Sequence, residues 1–278
     1  TYSASDYGDM ITCEPRMPAY AEALRQAVTP GCTVTDIGAG TGIFSLLACQ
    51  YGAAKVTAIE PADAVMLLRE AAEANGYAER ITVVQGLSTE HVPEQKADVI
   101  VSDIRGSLPL FEHHIATIVD ARERLLAPGG TLIPMRDTIR AALVQHPDGY
   151  QSCEAPWLRN RYALDLSAGH RHAVNTWNKV SLQPEQLLSA SAELAILDYR
   201  TISNPNMSGT VNLQAERDGA AHGLLLWFDA ELAPGIGYSN APGQPILVYG
   251  QLLFPVEQHL NLVKGYRVEA TIKANLID

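Results

Sequence analysis

Two periods of apolar residues alternate along the first half of the chain. Short apolar runs, typical of buried strands, are followed by segments in which apolar residues recur every three or four positions, as in helices. This alternation predicts a parallel sheet with helices on both faces. The predicted strands are Val34–Ile37, Lys55–Ile59, Ile81–Gln85, Val99–Ser102 and Thr131–Pro134, and the predicted helices are Pro15–Val28, Thr41–Tyr51, Ala62–Ala74 and Phe111–Leu126.

The pattern changes after Pro134. Helical periodicity gives way to alternating segments separated by Gly, Pro and Asn, which predicts an antiparallel barrel or sandwich. The predicted strands are Ile139–Gln145, Ala192–Ile196, Gly209–Gln214, Gly223–Leu232, Ile246–Phe254 and Tyr266–Ile272, with a short helix at Pro184–Leu188. The segment Trp157–Trp177 fits neither pattern and is interpreted as an excursion from the β domain. We therefore expect an α/β fold with a leading helical segment (1–30), a parallel-sheet domain (31–136) and a β domain (137–278).

Composition and net charge indicate which kinds of binding partner and location to expect. Hydrophobic residues are 47% of the chain, charged residues are 18%, and the net charge is −11. An acidic surface disfavours nucleic acid as the main partner. No apolar run approaches the roughly 20 residues that span a bilayer, so we expect no membrane and a cytoplasmic location. Four cysteines without CxxC spacing or a nearby His predict reduced thiols and no metal site.

A glycine-rich loop joins the first predicted strand to its helix. Gly38, Gly40 and Gly42 stand at alternate positions, which lets a ligand approach the backbone closely. Dinucleotide sites more commonly have the spacing GxGxxG. Asp36, just before the loop, would repel a pyrophosphate but could pair with a cationic or amino-bearing group. The alternative is a packing turn in which Asp36 caps the helix.

Glu60 ends the next predicted strand, where a carboxylate can accept hydrogen bonds from both hydroxyls of a ribose. A ribose joined to a positively charged, amino-acid-like group describes S-adenosylmethionine. We therefore expect this cofactor, with Thr41 of the glycine loop and Pro61 beside Glu60 in the same site.

A second loop, Ser102–Glu112, follows the fourth predicted strand and so lies at the carboxyl edge of the sheet, where open α/β sheets bind ligands. Two carboxylates, Asp103 and Glu112, bracket it. Such a pair near a methyl donor could grip a guanidinium or orient an amine. The alternative is structural, with Asp103 capping a turn and Glu112 in the first turn of a helix.

At this point the chain resembles the protein arginine methyltransferases. The resemblance covers nearly the whole sequence and rests on Asp36–Gly42, Glu60, the Asp103–Glu112 loop, Leu125–Gly130, the β domain after Pro134, Met10-Ile11, Arg16, Trp157, Leu164–Ser167, Gln251–Phe254 and Glu257. It implies a Rossmann-like class I methyltransferase domain followed by a β-barrel-like domain. It also implies that the excursion at about 157–177 is a helical dimerisation arm, and hence a homodimer.

The resemblance also implies roles for single residues. Arg16 would hold the methionine carboxylate of the cofactor, and Ser88 or Thr89 the adenine edge. Tyr7 stands at a position that often carries a cofactor-side aromatic, with Met10 near it. Asp103, which also borders the cofactor, and Glu112 match the two glutamates of the family's hairpin. These two would position the acceptor, and the more buried one would take its proton.

Three departures from the family pattern concern the acceptor. Asp103 is one methylene shorter than glutamate. Arg105 replaces a bulky apolar residue, where its charge either opposes a second cation or pairs with Asp103. The family's Thr-His-Trp loop corresponds to Leu247-Val248-Tyr249, in which only Tyr249 offers a similar aromatic wall. Three hypotheses stay open: an N-methyltransferase acting on a guanidine or amine of a protein or peptide, a natural-product methyltransferase, and a cofactor-binding scaffold without turnover.

Overall fold

The computed structural model describes residues 2–159, 162–174 and 176–276. Two helices come first, α1 (Ala4–Thr12) and α2 (Arg16–Ala27). The α2 helix matches the predicted one within a residue at each end, whereas α1 lies within the predicted helical segment (1–30) but was not predicted as a separate helix. A capping box starts α1: the Ser3 hydroxyl accepts the Asp6 N–H, and the Asp6 carboxylate accepts the Ser3 N–H.

A five-stranded parallel sheet forms the first domain, in the order β3-β2-β1-β4-β5. This confirms the predicted parallel sheet. Its strands are β1 (Thr33–Ile37), β2 (Lys55–Glu60), β3 (Ile81–Gln85), β4 (Ala97–Ser102) and β5 (Leu126–Ile133). Its helices are α3 (Ile43–Gln50), α4 (Val65–Ala74) and α5 (His114–Asp120), with a π-helical turn at Ala121–Leu125.

The strand order reverses at β1, which lies between β2 and β4. Ile37 and Ser102, the last residues of β1 and β4, are paired in the register. The glycine loop and the Asp103–Glu112 loop therefore leave the sheet side by side, at the switch point where open α/β sheets bind ligands.

The second domain is built of antiparallel strands, as predicted. β7, β12, β10, β6 and β8 form one sheet in that order, β11 extends it beside β10, and β9 pairs with β13. In the described residues, the strands hydrogen-bond as two sheets rather than as one closed ring. Their bounds are β6 (Arg136–Val144), β7 (Asn178–Val180), β8 (Ala192–Asp198), β9 (Met207–Gln214), β10 (Gly219–Ala233), β11 (Ile236–Ser239), β12 (Gln251–Leu262) and β13 (Arg267–Ala274).

The excursion between β6 and β7 contains two helices, α6 (Pro147–Leu158) and α7 (Ser167–Val174). Residues 160, 161 and 175 of the predicted arm lie outside the described residues. Helix α6 begins ten residues before the predicted start of the arm at Trp157. Apolar side chains of the arm are exposed to solvent, namely Trp157, Leu158, Tyr162 and Leu164.

Several predicted boundaries were wrong, among them the starts of β5 (Leu126 instead of Thr131) and β10 (Gly219 instead of Gly223). Two others have clear local reasons. Helix α5 starts at His114 instead of Phe111, because Glu112 has a φ of +45° and a left-handed residue cannot continue a right-handed helix. Strand β12 starts at Gln251 rather than Ile246, because a turn precedes it in which the Gly250 N–H donates to the Leu247 carbonyl. Among the described helices, none is long and apolar enough to cross a membrane.

Candidate active site

A cavity of about 790 Å³ opens at the carboxyl ends of β1, β2 and β4, beneath helix α1. Its walls come from five parts of the chain: α1 with the start of α2, the glycine loop with the start of α3, the end of β2, the loop after β4, and Trp177 just before β7. The predicted site residues that line it are Tyr7, Met10, Arg16, Gly38, Gly40, Thr41, Glu60, Pro61, Asp103 and Glu112. The structure thus brings ten of the sequence-predicted positions to one concave surface.

The glycine loop is shaped by backbone conformation and close packing. Gly38, Gly40 and Gly42 have φ values of +71°, +54° and +86°, which side-chain-bearing residues rarely adopt. A Cβ on Gly38 would lie 2.4 Å from Ile104 Cγ2, and one on Gly40 would lie 2.8 Å from Tyr7 Cε1. Gly42 does not line the cavity; it caps α3, where a Cβ would lie 2.6 Å from Leu68 Cγ. Glycine at Gly38 and Gly40 therefore gives a ligand direct access to the backbone.

Glu60 is held in place by the backbone around it. One carboxylate oxygen accepts the Gly40 N–H at 2.9 Å, and the other accepts the Ala62 N–H at 2.8 Å. The side chain lines the cavity although the residue is only 7% exposed. Each oxygen keeps a lone pair for a further donor, so the carboxylate can accept from two neighbouring hydroxyls.

Asp36 lies behind the glycine loop, outside the residues that line the cavity. It is fully buried, and one oxygen accepts the Ser45 hydroxyl at 2.7 Å. Burial raises the pKa of Asp36 to about 7, against the lowering effect of the Ser45 hydrogen bonds. Because Asp36 is not among the residues that line the cavity, its direct pairing with a ligand cation stays a prediction.

The predicted adenine residues lie at the loop after β3. Ser88 is buried, and its carbonyl accepts a hydrogen bond from Arg124 Nη2 at 2.8 Å. Thr89 is exposed. Neither residue belongs to the cavity lining, so their role stays a prediction.

Arg16 is the first residue of α2, and its side chain lines the cavity. Its Nη2 lies 2.6 Å from Asp103 Oδ2, its Nε donates to the same oxygen, and its Nη1 donates to the Met10 carbonyl at 2.9 Å. The guanidinium therefore joins α1, α2 and the loop after β4 at one point.

Arg105 completes a buried ion cluster beside the cavity. It is fully buried, and its Nη1 donates to Asp103 Oδ1 at 2.8 Å. Its Nε and Nη2 donate to the two oxygens of Asp137 in β6, at 2.6 and 3.2 Å. Of the two alternatives left open for Arg105, the structure therefore has it pairing with Asp103. The cluster formed by Arg16, Arg105, Asp103 and Asp137 joins the two domains and carries no net charge.

The charges of the cluster shift the pKa of the Asp103 carboxylate. Burial would raise the pKa of Asp103, but the charges of Arg16 and Arg105 outweigh it and hold this pKa below its ordinary value. A lowered pKa makes Asp103 the weaker base, which favours Glu112 over Asp103 as the proton acceptor. Which of the two carboxylates takes the proton stays a prediction.

Tyrosine hydroxyls surround the cluster. Tyr249 donates to Asp103 at 2.5 Å and lies 2.8 Å from the Tyr238 hydroxyl, while Arg105 donates to the Tyr20 hydroxyl at 2.6 Å. Tyr199 donates to Asp137 at 2.5 Å. Neither Tyr249 nor Arg105 lines the cavity.

His114 stands behind Tyr199 and is neutral. Its Nε2 lies 2.9 Å from the Tyr199 hydroxyl. Burial, helped by the charge of Arg105, lowers the pKa of His114 to about 3.

Glu112 presents the free carboxylate on the acceptor side of the cavity. It is exposed, and its side chain has no hydrogen-bond or ion-pair partner in the part of the chain that the structure describes. Its φ of +45° is a strained conformation for a residue with a Cβ. Phe111 and Trp177 line the cavity beside it as an edge-to-face pair with ring centroids 5.1 Å apart.

Several of these residues were missed from the sequence. Asp137, Tyr20, Tyr199 and Tyr238 are spread over α2 and the β domain, and no local spacing links them to Asp103. A lone carboxylate among the inward-facing positions of an apolar strand, as at Asp137, is the one local signal of a buried partner.

Comparison with known proteins agrees with this geometry. Residues 20–135 match a family model described as ribosomal protein L11 methyltransferase. Residues 136–276, just over half of the chain, match the model described as the arginine methyltransferase oligomerization subdomain. The chain belongs to the protein arginine methyltransferase family. The resemblance inferred from the sequence is thereby confirmed.

Individual relatives support the assignment. The chain is 30% identical, over 85% of its length, to the probable protein arginine N-methyltransferase 6 of Arabidopsis thaliana, and spans 55% of that protein. It is 26% identical, over 95% of its length, to protein arginine N-methyltransferase 1 of Dictyostelium discoideum, and spans 80% of it. The chain thus spans little more than half of the first of these relatives.

Solved structures share the fold. The Trypanosoma brucei PRMT1 enzyme–prozyme heterotetrameric complex with AdoHcy aligns with a TM-score of 0.87 at 22% identity, over 96% of this chain and 86% of that one. Protein arginine methyltransferase 10 of Arabidopsis thaliana aligns with a TM-score of 0.82 at 22% identity, over 94% of this chain and 85% of that one. The predicted two-domain architecture, a Rossmann-like domain followed by an antiparallel sheet domain, is confirmed.

Proposed function

We propose that this protein is an S-adenosylmethionine-dependent N-methyltransferase that acts on a guanidine or amine nitrogen of a protein or peptide. One observation carries the proposal. The glycine cradle, Glu60 and the acceptor-side Glu112 line a single cavity at the switch point of the sheet. The family membership and the AdoHcy of the trypanosomal complex support the same cofactor.

The residues present fit this cofactor. Glu60 would accept the two ribose hydroxyls, and the backbone of Gly38 and Gly40 would contact the amino-acid portion. Arg16 would attract its carboxylate, while Tyr7 and Met10 would cover the site from α1. A cavity of about 790 Å³ has the size of a typical small-molecule site.

When bound, S-adenosylmethionine supplies a methyl group on a positively charged sulfur. The protein would hold the donor and acceptor in line within a cavity closed by α1, which lowers the entropic part of the barrier. The Asp103 carboxylate, fixed by two arginines, sets the position of the loop. Glu112, free and exposed to the cavity, would receive the proton that the methylated nitrogen releases.

Subunit organisation and location also belong to the proposal. We propose a homodimer formed through the arm, supported by its exposed Trp157 and Leu164 and by the family description as an oligomerization subdomain. The four cysteines are free thiols, three of them buried, which suits the reducing cytoplasm.

Titration calorimetry and methyl labelling test the proposal together. The protein should bind S-adenosylhomocysteine at one site per chain, and labelled S-adenosylmethionine should transfer its methyl to protein in a host lysate. Label confined to the small-molecule fraction would favour the natural-product hypothesis. Binding without transfer would favour the scaffold, and a failure to bind the cofactor product would overturn the proposed function.

A further inference from the structure

The acceptor side of the cavity offers one available carboxylate rather than two. Both oxygens of Asp103 already accept hydrogen bonds inside the protein: Oδ1 accepts from Arg105, while Oδ2 accepts from Arg16 and from the Tyr249 hydroxyl. Only Oδ1 keeps a lone pair for a further donor, so Asp103 cannot hold a guanidinium through both of its oxygens. Its side chain is 6% exposed. The bonds from Arg105 and Tyr249 do not involve the donor site, so they persist even where Arg16 turns toward a bound ligand.

The charges around Asp103 oppose a further cation. A guanidinium brought to this carboxylate would lie close to two guanidiniums that are already buried. Asp137 offsets the charge of Arg105 at a distance, but at contact distance like charges in a poorly solvated site repel, and this disfavours two-carboxylate recognition of an acceptor guanidinium. Arg105 is the residue that blocks it, since it is held from the opposite side by Asp137 and cannot move away without leaving that carboxylate unpaired.

Glu112 therefore acts alone beside the Phe111–Trp177 wall. A single carboxylate balances the positive sulfur of the methyl donor when the attacking nitrogen is neutral. When the acceptor is a guanidinium, which stays protonated in proteins, a single carboxylate leaves the site with an excess positive charge. An alkylammonium has a pKa of about 10.4, so it can release one proton to solvent at the mouth of the cavity and then attack as a neutral amine. The aromatic pair can then stabilise the alkylammonium that forms.

We propose that the acceptor of this enzyme is an alkyl amine, held by Glu112 and the Phe111–Trp177 pair, and that Arg105 excludes a guanidine. The inference rests on the proposed function. The amine lone pair forms the new N–CH₃ bond as the S–CH₃ bond breaks, and its electron pair stays on sulfur to give the neutral thioether. The methylated ammonium then passes its extra proton to the Glu112 carboxylate.

Two acetylated pentapeptides that differ only in a central lysine or arginine provide the direct test, with propylamine as a free-amine arm. With labelled S-adenosylmethionine, we expect kcat/KM for the lysine peptide to exceed that for the arginine peptide about tenfold or more. A higher rate for propylamine than for the peptide would assign the amine to a small molecule. Preference for the arginine peptide would overturn the proposal.

Two variants separate the acceptor site from the donor site. Glu112→Gln should lower amine methylation about a hundredfold and leave the affinity for S-adenosylhomocysteine unchanged. The matched control is Glu269→Gln, at an exposed glutamate of β13. Unchanged amine methylation in Glu112→Gln would contradict the role of Glu112.

Arg105→Met should raise the arginine-to-lysine ratio about tenfold, because it frees Oδ1 of Asp103 and removes one of the two flanking guanidiniums. If that variant does not fold, Arg105→Met combined with Asp137→Asn tests the same point. An unchanged ratio would overturn the role of Arg105.

Binding provides a readout independent of turnover. In the presence of S-adenosylhomocysteine, calorimetry should detect propylamine more tightly bound than propylguanidine, and the reverse order would overturn the proposal. Absence of any S-adenosylhomocysteine binding would instead overturn the proposed function, so the two failures are distinguishable.

Discussion

Arg105 joins the two domains, and its replacement by methionine has a calculable effect. Methionine has a similar length and no charge. In Arg105→Met, Asp103 keeps its bonds from Arg16 and Tyr249, whereas Asp137 keeps only the Tyr199 hydroxyl among the described residues. The substitution therefore leaves one buried carboxylate without its cation, not two.

The expected loss follows from that count. Removing one partner of a buried ion pair costs roughly 3–5 kcal/mol. Since Asp103 remains paired, we expect the free energy of unfolding of Arg105→Met to fall by that amount at about pH 8 rather than by twice that amount. Combining it with Asp137→Asn should restore a large part of the loss, because a neutral amide replaces the unpaired charge.

The loss should also depend on pH. Burial raises the pKa of Asp137 although Arg105 opposes it, and removal of Arg105 raises this pKa further. A carboxyl group whose pKa is higher in the folded state contributes stability below its unfolded pKa, near 3.9, and loses it as pH rises through the folded value. The deficit of Arg105→Met should therefore be smaller at about pH 5 than at about pH 8.

Urea unfolding followed by tryptophan fluorescence measures both effects. The matched control is Arg200→Met, which removes an exposed ion pair with Asp198 and should cost about 0–1 kcal/mol. A deficit for Arg105→Met no larger than that of the control, or one that grows as the pH is lowered, would refute the reasoning.

Three further predictions concern the cavity and its support. Gly38→Ala should lower S-adenosylhomocysteine affinity about tenfold or more, because its Cβ would lie 2.4 Å from Ile104. The control is Gly76→Ala: Gly76 has a similar φ, but nothing lies within 4 Å of an added Cβ, so the variant should lose about 1–2 kcal/mol of stability and no S-adenosylhomocysteine affinity. Equal calorimetric affinities of Gly38→Ala and Gly76→Ala would contradict this. Glu60→Gln should weaken the same binding roughly tenfold to hundredfold through loss of a charged acceptor, and wild-type affinity would exclude Glu60 from the ribose site. Neutral His114 contributes stability above its unfolded pKa, and this stability is lost as the pH falls toward its folded pKa of about 3. In His114→Gln, the urea midpoint should therefore depend less on pH on the acid side than it does in the wild type. Parallel pH profiles of the urea midpoint in the two proteins would contradict this role of His114.

Local signals allowed much of the fold and of the donor site to be predicted. The apolar strand β1 directly precedes the glycine loop at Gly38. The Glu60 carboxylate likewise directly follows the apolar residues of β2 that position it. The pairing of Ile37 with Ser102 then follows from parallel topology. Glu60 could therefore be placed at the site from local sequence signals, whereas Arg16 was placed there only by the resemblance, and the roles of both stay predictions.

The acceptor side could not be predicted in the same way. Whether Asp103 is free or neutralised depends on Arg105, Tyr249 and Asp137, which come from three segments far apart in the sequence. Trp177 reaches the cavity from the end of the arm, and no periodicity points to that placement. Burial and charge pairing are properties of the assembled fold, so the sequence left both alternatives for Arg105 open.

The central claim is that this cavity binds S-adenosylmethionine and passes its methyl group to a nitrogen. Mass spectrometry of the purified protein with methyl-labelled S-adenosylmethionine and the lysine and arginine peptides tests it most directly. We expect one S-adenosylhomocysteine formed for each labelled methyl found on a peptide nitrogen, with the lysine peptide preferred. Cofactor consumption without label on nitrogen, or no consumption in the presence of either peptide or propylamine, would contradict it.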